Sequence, residues 1–217
     1  MLGTPSMPSA PSAASGPLVL ADISGYTSFL QTVAFAHRDD AFADGAVPGA
    51  YAILSGVLDG IVGRLVPPFT LSKLEGDAVF AYSDGTTSLP RGQDALDCVS
   101  ACYTDFRRRV DDARATYTCW CDACSRIDLL ELKFVLHAGA FVIQDIAGQR
   151  EVVGPEVVVA HRLLKSRAAE LIGHNAYALV TDAAVTALGI PDEDAVELVE
   201  SYDGHSVNAH VFALRDG

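Results

Sequence analysis

Leu18-Val19-Leu20-Ala21-Asp22-Ile23-Ser24-Gly25-Tyr26-Thr27 runs from a block of apolar residues into a carboxylate and then into a Ser-Gly turn. A short apolar run with a turn signal behind it reads as a buried strand. From residue 27 to residue 37 the spacing becomes helical, with Phe29, Val33 and Ala36 on one face. The segment is therefore strand, turn, helix, and Asp22 closes the strand. A carboxylate there can be aimed into a crevice. The backbone N–H groups of Ser24, Gly25, Tyr26 and Thr27, entering a helix, can cradle a phosphate. Taken alone, an Asx-turn that merely ends the strand is the simpler account of Asp22.

Downstream, Asp40 and then Asp44-Gly45 mark a loop. Pro48 opens a second helix whose Tyr51, Leu54, Leu58, Val62 and Leu65 recur at three or four residues, and Pro67-Pro68 stops it. Residues 69–75 and 77–82 read as a hairpin around Gly76, with Asp77 at its tip. Hairpin tips of this kind are common without a function. Residues 93–114 form a long helix that turns Leu96, Val99, Tyr103, Phe106 and Val110 inward. Arg107, Arg108 and Arg109 fall in its later half, as a solvated helix end. Residues 129–137 and 140–146 read as two strands around Gly139, residues 155–168 as one helix, 177–180 as a strand and 182–188 as a helix. Two last strands follow within 196–214, around Asp203-Gly204. Strands and helices interleave without βαβ regularity, so the expected class is α+β, a mixed and mostly antiparallel sheet packed against helices.

The 217 residues suit one domain. Residues 1–16, rich in Pro, Ala and Ser with no basic residue, read as a disordered tail rather than a signal peptide. Residues 17–217 form the domain, with a cysteine-rich insert near 116–127. Lys and Arg number 15 against 28 Asp and Glu, a net charge of −13. Such a surface repels nucleic acid and anionic membranes. No apolar run reaches the roughly 18 residues of a membrane span. An anionic ligand such as a nucleotide would need a divalent cation to bind. Five cysteines without a secretion signal suggest reduced thiols or a metal site, and a cytoplasmic location.

Four segments carry a resemblance. Leu20 to Thr27 resembles the opening signature of class III adenylate and guanylate cyclases, apolar-x-Asp-Ile-x-Gly-aromatic-Thr. Lys73-Leu74-Glu75-Gly76-Asp77-Ala78 resembles their Lys-x-x-Gly-Asp-Ala hairpin. Phe134-Val135-Leu136-His137-Ala138-Gly139 is similar to their strand ending in Ile-His-x-Gly. Gly154-Pro155-Glu156-Val157, continuing to Ala160-His161-Arg162-Leu163, is similar to their Gly-x-x-Val-Asn-x-Ala-x-Arg-Leu helix. The matches stand in the family's order over residues 18–168, and the chain looks closest to a poorly characterised branch carrying a Cys-x-Cys-x-x-Cys insert. The resemblance implies a ferredoxin-like cyclase fold and a homodimer that completes each site. Asp22 and Asp77 would bind two Mg²⁺ or Mn²⁺ ions, with the Ile23 carbonyl as a further ligand. The turn from Ser24 to Thr27 would hold the triphosphate. Lys73 would contact a purine, favouring adenine, and Glu151 would stand at the base-selecting position. Arg162 would stabilise charge at the transferred phosphorus. The implied reaction is attack of the ribose 3′ hydroxyl on the α-phosphate of ATP, giving cyclic AMP and pyrophosphate.

The helix match departs at one position. Val158 stands where the family has its transition-state Asn, one turn from Arg162. Losing one preorganised donor can cost roughly 10²–10³ in rate. Residues 203–208 hold no lysine to grip the terminal phosphate, and His205 or Arg167 could stand in. Three readings follow: a cyclase, a catalytically impaired nucleotide-binding or sensing module, and an interaction domain that keeps only the fold. Intact Asp22, Lys73 and Asp77 speak against the third.

Cys119, Cys121 and Cys124 place three thiols within six residues, a pattern that suits Zn²⁺. Tetrahedral zinc needs a fourth ligand. Cys98 and Cys102 sit on the long helix, and the insert would have to fold back to reach Cys102. A residue elsewhere, a water or a group from a partner chain could serve instead. Three reduced thiols packed beside Trp120 is the alternative. His137 reads as structural, and His161 as a surface or dimer-facing residue.

Overall fold

A computed structural model describes residues 10–39, 45, 47–116, 119 and 121–215. The Asp40 to Asp44 segment of the expected loop, Trp120 and residues 1–9 of the expected tail lie outside them.

Among the described residues, eight strands form one sheet: β1 (Ser12–Ser24), β2 (Thr70–Glu75), β3 (Ala78–Tyr82), β4 (Glu131–Ile146), β5 (Gln149–Val153), β6 (Tyr177–Thr181), β7 (Val196–Tyr202) and β8 (His205–Ala213). Their order is β2-β3-β1-β4-β6-β8-β7, with β5 added to one end of β4. The β4–β6 pair is parallel and the others are antiparallel. The α+β class with a mostly antiparallel mixed sheet is thus the observed one.

The helices are α1 (Tyr26–Ala36), α2 (Gly49–Leu65), α3 (Gln93–Thr116), α4 (Asp122–Ser125), α5 (Pro155–Leu163), α6 (Ala168–Ile172) and α7 (Asp182–Leu188). The pleat of β1 sorts its side chains between two layers. Val19, Ala21 and Ile23 face a core with Leu54 and Ile61 of α2 and Val99 and Phe106 of α3. Leu18 and Leu20 face the opposite core, with Phe80 of β3 and Val157, Ala160 and Leu163 of α5. Among the described residues no helix is long and apolar enough to cross a membrane.

The structure corrects several expectations. Strand β1 begins at Ser12, inside the expected tail, because the extended partner β4 gives residues 12–16 a ladder running from Ser12↔Ile143 to Gly16↔Gly139. The two strands expected around Gly139 are one strand, β4. Gly139 is a site of close approach rather than a turn: a Cβ there would overlap the Glu156 side chain. The single helix expected over 155–168 is broken into α5 and α6, with Lys165 and Ser166 N–H groups donating to the Arg162 and Leu163 carbonyls in a turn. Helix α3 continues to Thr116, so the arginine triplet is not its end. Arg108 and Arg109 pair with the buried Asp105 at 2.6 and 2.7 Å, and Arg64 of α2 joins at 3.4 Å. Arg107 donates to the Leu130 carbonyl at 2.8 Å. Burial opposes the Asp105 charge, but the three guanidinium groups hold its carboxyl well below the ordinary range.

Candidate nucleotide and metal site

Asp22 and Asp77 are brought together by strand register. Asp22 pairs with Ala78 in the β1–β3 ladder, so Asp77, at the hairpin tip, lies beside it. The Ile23 N–H donates to the Asp77 carbonyl at 3.3 Å. The period-2 alternation of β1 turns Asp22 toward the α5 side, like Leu18 and Leu20. Burial raises the Asp77 pKa, and the nearby Asp22 charge raises it further. Its own backbone N–H and Lys133 act in the other direction.

Lys133 is a residue of this site that sequence reasoning missed. It pairs with Asp22 in the β1–β4 ladder. Its ammonium lies 3.0 Å from Asp22 Oδ2 and donates to the Leu164 carbonyl at 3.0 Å. Two adjacent carboxylates against one ammonium leave an excess negative charge, and desolvation of Asp77 adds to the demand for a cation. The oxygen-only donor set suits Mg²⁺ or Mn²⁺. The one signal for Lys133 was that it is the sole Lys or Arg in the long strand β4.

The turn beside these carboxylates is set by Gly25, whose φ of 87° is left-handed and which caps α1. No side chain caps this helix end. Its first N–H groups are therefore open to an anion. Burial, with the Asp77 charge second, raises the pKa of the Tyr26 phenol next to the turn.

Lys73 and Glu151, far apart in sequence, are joined across β2 and β5 with Nζ to Oε2 at 3.1 Å. Lys73 also lies 3.1 Å from Glu75 Oε1, and Glu75 Oε2 is 2.8 Å from Nε2 of His161. Within the chain, His161 thus lies partly buried on α5 against Glu75 and the Phe80 ring. Four side chains form a connected polar row at the edge of the sheet.

Arg162 pairs with Asp203 and lies 5.8 Å from the centre of the Tyr202 ring. The Tyr202 hydroxyl donates to the Arg162 carbonyl at 3.2 Å. Arg162 and Val158 line an open cleft of about 530 Å³ with His137, Glu156, Asp203 and His205. Val158 is 51% exposed there. His205 therefore faces the same cleft, whereas Arg167 bonds the Val199 carbonyl and approaches Glu200. His137 is buried and held between Thr181 Oγ1 and Glu156, consistent with a structural residue.

The cysteine insert is organised separately. Cys119, Cys121 and Cys124 gather around His37, just past the end of α1. Cys98 and Cys102 of α3 are not in the group. Burial pushes the Cys102 thiol up to about 12, with Asp105 adding to the shift. Burial also works against a Cys121 thiolate. It is outweighed by the Cys124 backbone N–H, the neighbouring thiols and His37, which bring Cys121 down to about 7.

Solved structures share this architecture. The adenylyl cyclase CyaB from P. aeruginosa superposes with a TM-score of 0.62 at 14% identity, over 95% of this chain and 98% of that one. The guanylyl cyclase Cya2 gives 0.55 at 13%, over 96% of each chain. The guanylate cyclase domain of RhGC from Catenaria anguillulae, solved in complex with GTP, gives 0.55 at 15%, over 94% of this chain and all (100%) of that one. At such identities the likeness establishes the cyclase-domain fold. An uncharacterized protein of Mycobacterium tuberculosis is 32% identical over 115 residues, which are 52% of this chain and 50% of that protein, so the match spans half the relative's length. Residues 54–171, more than half of the chain, match the family model described as "Protein of unknown function (DUF2652)", and the chain belongs to that family.

Proposed function

We propose that this protein binds a purine nucleoside triphosphate, ATP foremost, together with Mg²⁺ or Mn²⁺. The observation that carries the reading is the juxtaposition of Asp22 and Asp77 beside the Gly25 turn. Asp22 and Asp77, with the Ile23 carbonyl, would hold the metal, which when bound neutralises phosphate charge and polarises the reacting oxygens. The N–H groups at the start of α1 bind and orient phosphate oxygens. Lys73 and Glu151 offer one donor and one acceptor, a pair suited to the edge of a purine base. Arg162 supplies positive charge once it turns from Asp203 to a phosphoryl group.

Turnover to cyclic AMP and pyrophosphate is the fuller version of this reading. The runner-up, a nucleotide-binding sensor with impaired catalysis, is favoured by Val158, which has no group to orient the ribose. A homodimer fits the open Arg162 cleft, which a second copy would complete with its own metal carboxylates. A thiol-rich insert suited to zinc fits a reducing, cytoplasmic setting.

Isothermal titration with ATP and Mn²⁺, comparing wild type with Asp77→Ala, is the first test. Binding by wild type that the variant loses supports the site. No binding by wild type removes both nucleotide readings. A cyclic-nucleotide assay on the same pair then separates cyclase from sensor.

A further inference from the structure

We propose that His37, Cys119, Cys121 and Cys124 form a closed structural zinc site that ties the end of α1 to the insert between α3 and β4. A single atom, Nε2 of His37, lies 3.3 Å from Cys121 Sγ, 3.4 Å from Cys124 Sγ and 3.6 Å from Cys119 Sγ. A ring nitrogen carries one proton or one lone pair, so its hydrogen bonding accounts fully for only one of these contacts. A shared tetrahedral ion accounts for all three. With Zn–S near 2.3 Å and Zn–N near 2.0 Å, a tetrahedral angle sets each N···S separation at about 3.5 Å. The three distances bracket that value. All four ligand atoms lie within 4.8 Å of one another.

The chemistry of the donors selects the ion. Three thiolates and an imidazole suit zinc, whereas the carboxylates of Asp22 and Asp77 suit Mg²⁺ or Mn²⁺. The two sites do not compete for one metal. Three cysteines and one histidine fill a tetrahedron and leave no position for water or substrate, which marks a structural site. Zinc binding displaces the three thiol protons to solvent and needs no oxidant.

The location gives the ion its role. Helix α1 starts at the Gly25 turn and reaches its C-terminal cap at His37, whose N–H donates to the Val33 carbonyl. Cys121 caps α4 at its start, accepting from the Cys124 N–H, and Cys124 closes the same turn. Four-residue α4 and the 3₁₀ turn Arg126–Leu129 that follows it are too short to hold their shape alone. They lead to Leu130, which packs behind Gly25. Zinc therefore anchors α1 at the end opposite its anion-binding turn and fixes the segment that backs that turn.

The test uses the full chain purified untagged under reducing conditions. Metal analysis of wild type should give about one zinc per chain, and Cys98→Ser should keep it. Cys121→Ser and His37→Ala should lose it, while His37→Cys, which restores four ligands, should retain it. Because ligand variants can fail to fold, wild type stripped with a chelator is also titrated with Co²⁺. Thiolate-to-cobalt charge-transfer absorption that zinc abolishes is expected, with a melting temperature several degrees lower in the stripped protein. Wild type that holds no zinc and shows no charge-transfer band overturns the site. Full zinc content and unchanged cobalt affinity in folded His37→Ala overturns His37 as its fourth ligand. Nucleotide binding plays no part in these readouts, so they stand or fall apart from the Asp22 and Asp77 reading.

Discussion

Lys133 lies against Asp22, with 3.0 Å between Nζ and Oδ2 and only 17% and 18% of the two side chains exposed. The ammonium sits at the carboxylate that would otherwise receive a divalent ion, so it acts as a resident counter-ion. Metal entry must move Lys133 or share Asp22 with it. Replacing it by an apolar isostere removes a competitor for the metal but leaves two uncompensated carboxylates. Lys133→Met should therefore tighten Mn²⁺ binding about threefold to tenfold, roughly 0.7–1.4 kcal/mol, and lower stability in metal-free buffer. Calorimetric titration with Mn²⁺ and chemical denaturation with and without metal check both halves. Unchanged Mn²⁺ affinity would remove Lys133 as a competitor.

Asp77 and Asp105 give opposite pH signatures. Asp77 has a raised pKa through burial and Asp22, so the folded state holds its proton more tightly than the unfolded chain. Its cost to stability is full above the raised value and fades as pH falls through the unfolded value of 3.8. Asp77→Asn should thus stabilise the metal-free protein at neutral pH while weakening metal–nucleotide binding at least tenfold, about 1.4 kcal/mol or more. A denaturation midpoint that drops on this substitution would contradict the assignment.

Asp105 works in the other direction. Its lowered folded pKa gives stability that is complete well above the unfolded value of 3.8 and is lost as pH falls toward the folded value. Arg64, Arg108 and Arg109 are 51%, 57% and 38% exposed, so solvent screens each pair. Asp105→Ala should cost on the order of 2–3 kcal/mol, below the loss from breaking a wholly buried pair. Urea denaturation at neutral pH measures it, and the loss should shrink on acidification.

Gly16 marks where sequence and structure part. A Cβ at this position would overlap the Ser83 carbonyl oxygen, and Ser83 N–H donates to the Pro17 carbonyl at 2.9 Å. Gly16→Ala should destabilise by about 2–3 kcal/mol through overpacking against rigid backbone. In a disordered tail the same change would be silent, so thermal unfolding of this variant distinguishes strand from tail.

The elements legible in the sequence were those set by local pattern. The strand–turn–helix around Asp22, the hairpin around Gly76 and the register of α3 all follow from short-range periodicity and turn chemistry. Gly139 misled because glycine serves both turns and close approach, and only the packing of α5 over β4 distinguishes the two uses. The same limit applies to the site. Asp22, Asp77 and Lys73 could be singled out because each stands in a recognisable segment, and Glu151 only through what the resemblance implies; the fold adds that Lys73 and Glu151 touch. Lys133 and His37 were not legible. The first depends on the β1–β4 register, and the second on where α1 ends relative to an insert more than 80 residues later.

The Lys73–Glu151 pair joins two groups partly open to solvent, at 38% and 28% exposure. Its contribution to stability should be small, about 0.2–1 kcal/mol, so any larger effect of changing it belongs to ligand binding. Glu151→Ala should leave the melting temperature within a few degrees and should change the preference between ATP and GTP at least fivefold, about 1 kcal/mol. Competitive titration with the two nucleotides checks it. Equal loss for both would mean that Glu151 positions Lys73 without reading the base.

Val158 offers the cleanest separation of cyclase from sensor. It is half-exposed on the cleft wall, one turn from Arg162, and buries little that an amide would forfeit. Val158→Asn should therefore alter stability by less than about 0.5 kcal/mol, as surface substitutions do. It places a donor and an acceptor on the helix face that already carries Arg162. If the fold is a cyclase slowed by that one missing group, cyclic AMP formation should rise by roughly 10²-fold, the lower end of what one preorganised donor contributes. The rise should appear in the turnover number more than in nucleotide affinity, because the added contact forms as the ribose is oriented for attack. Tight nucleotide binding with no product in either protein would assign the chain to the sensor reading, with its Asp22 and Asp77 serving binding alone.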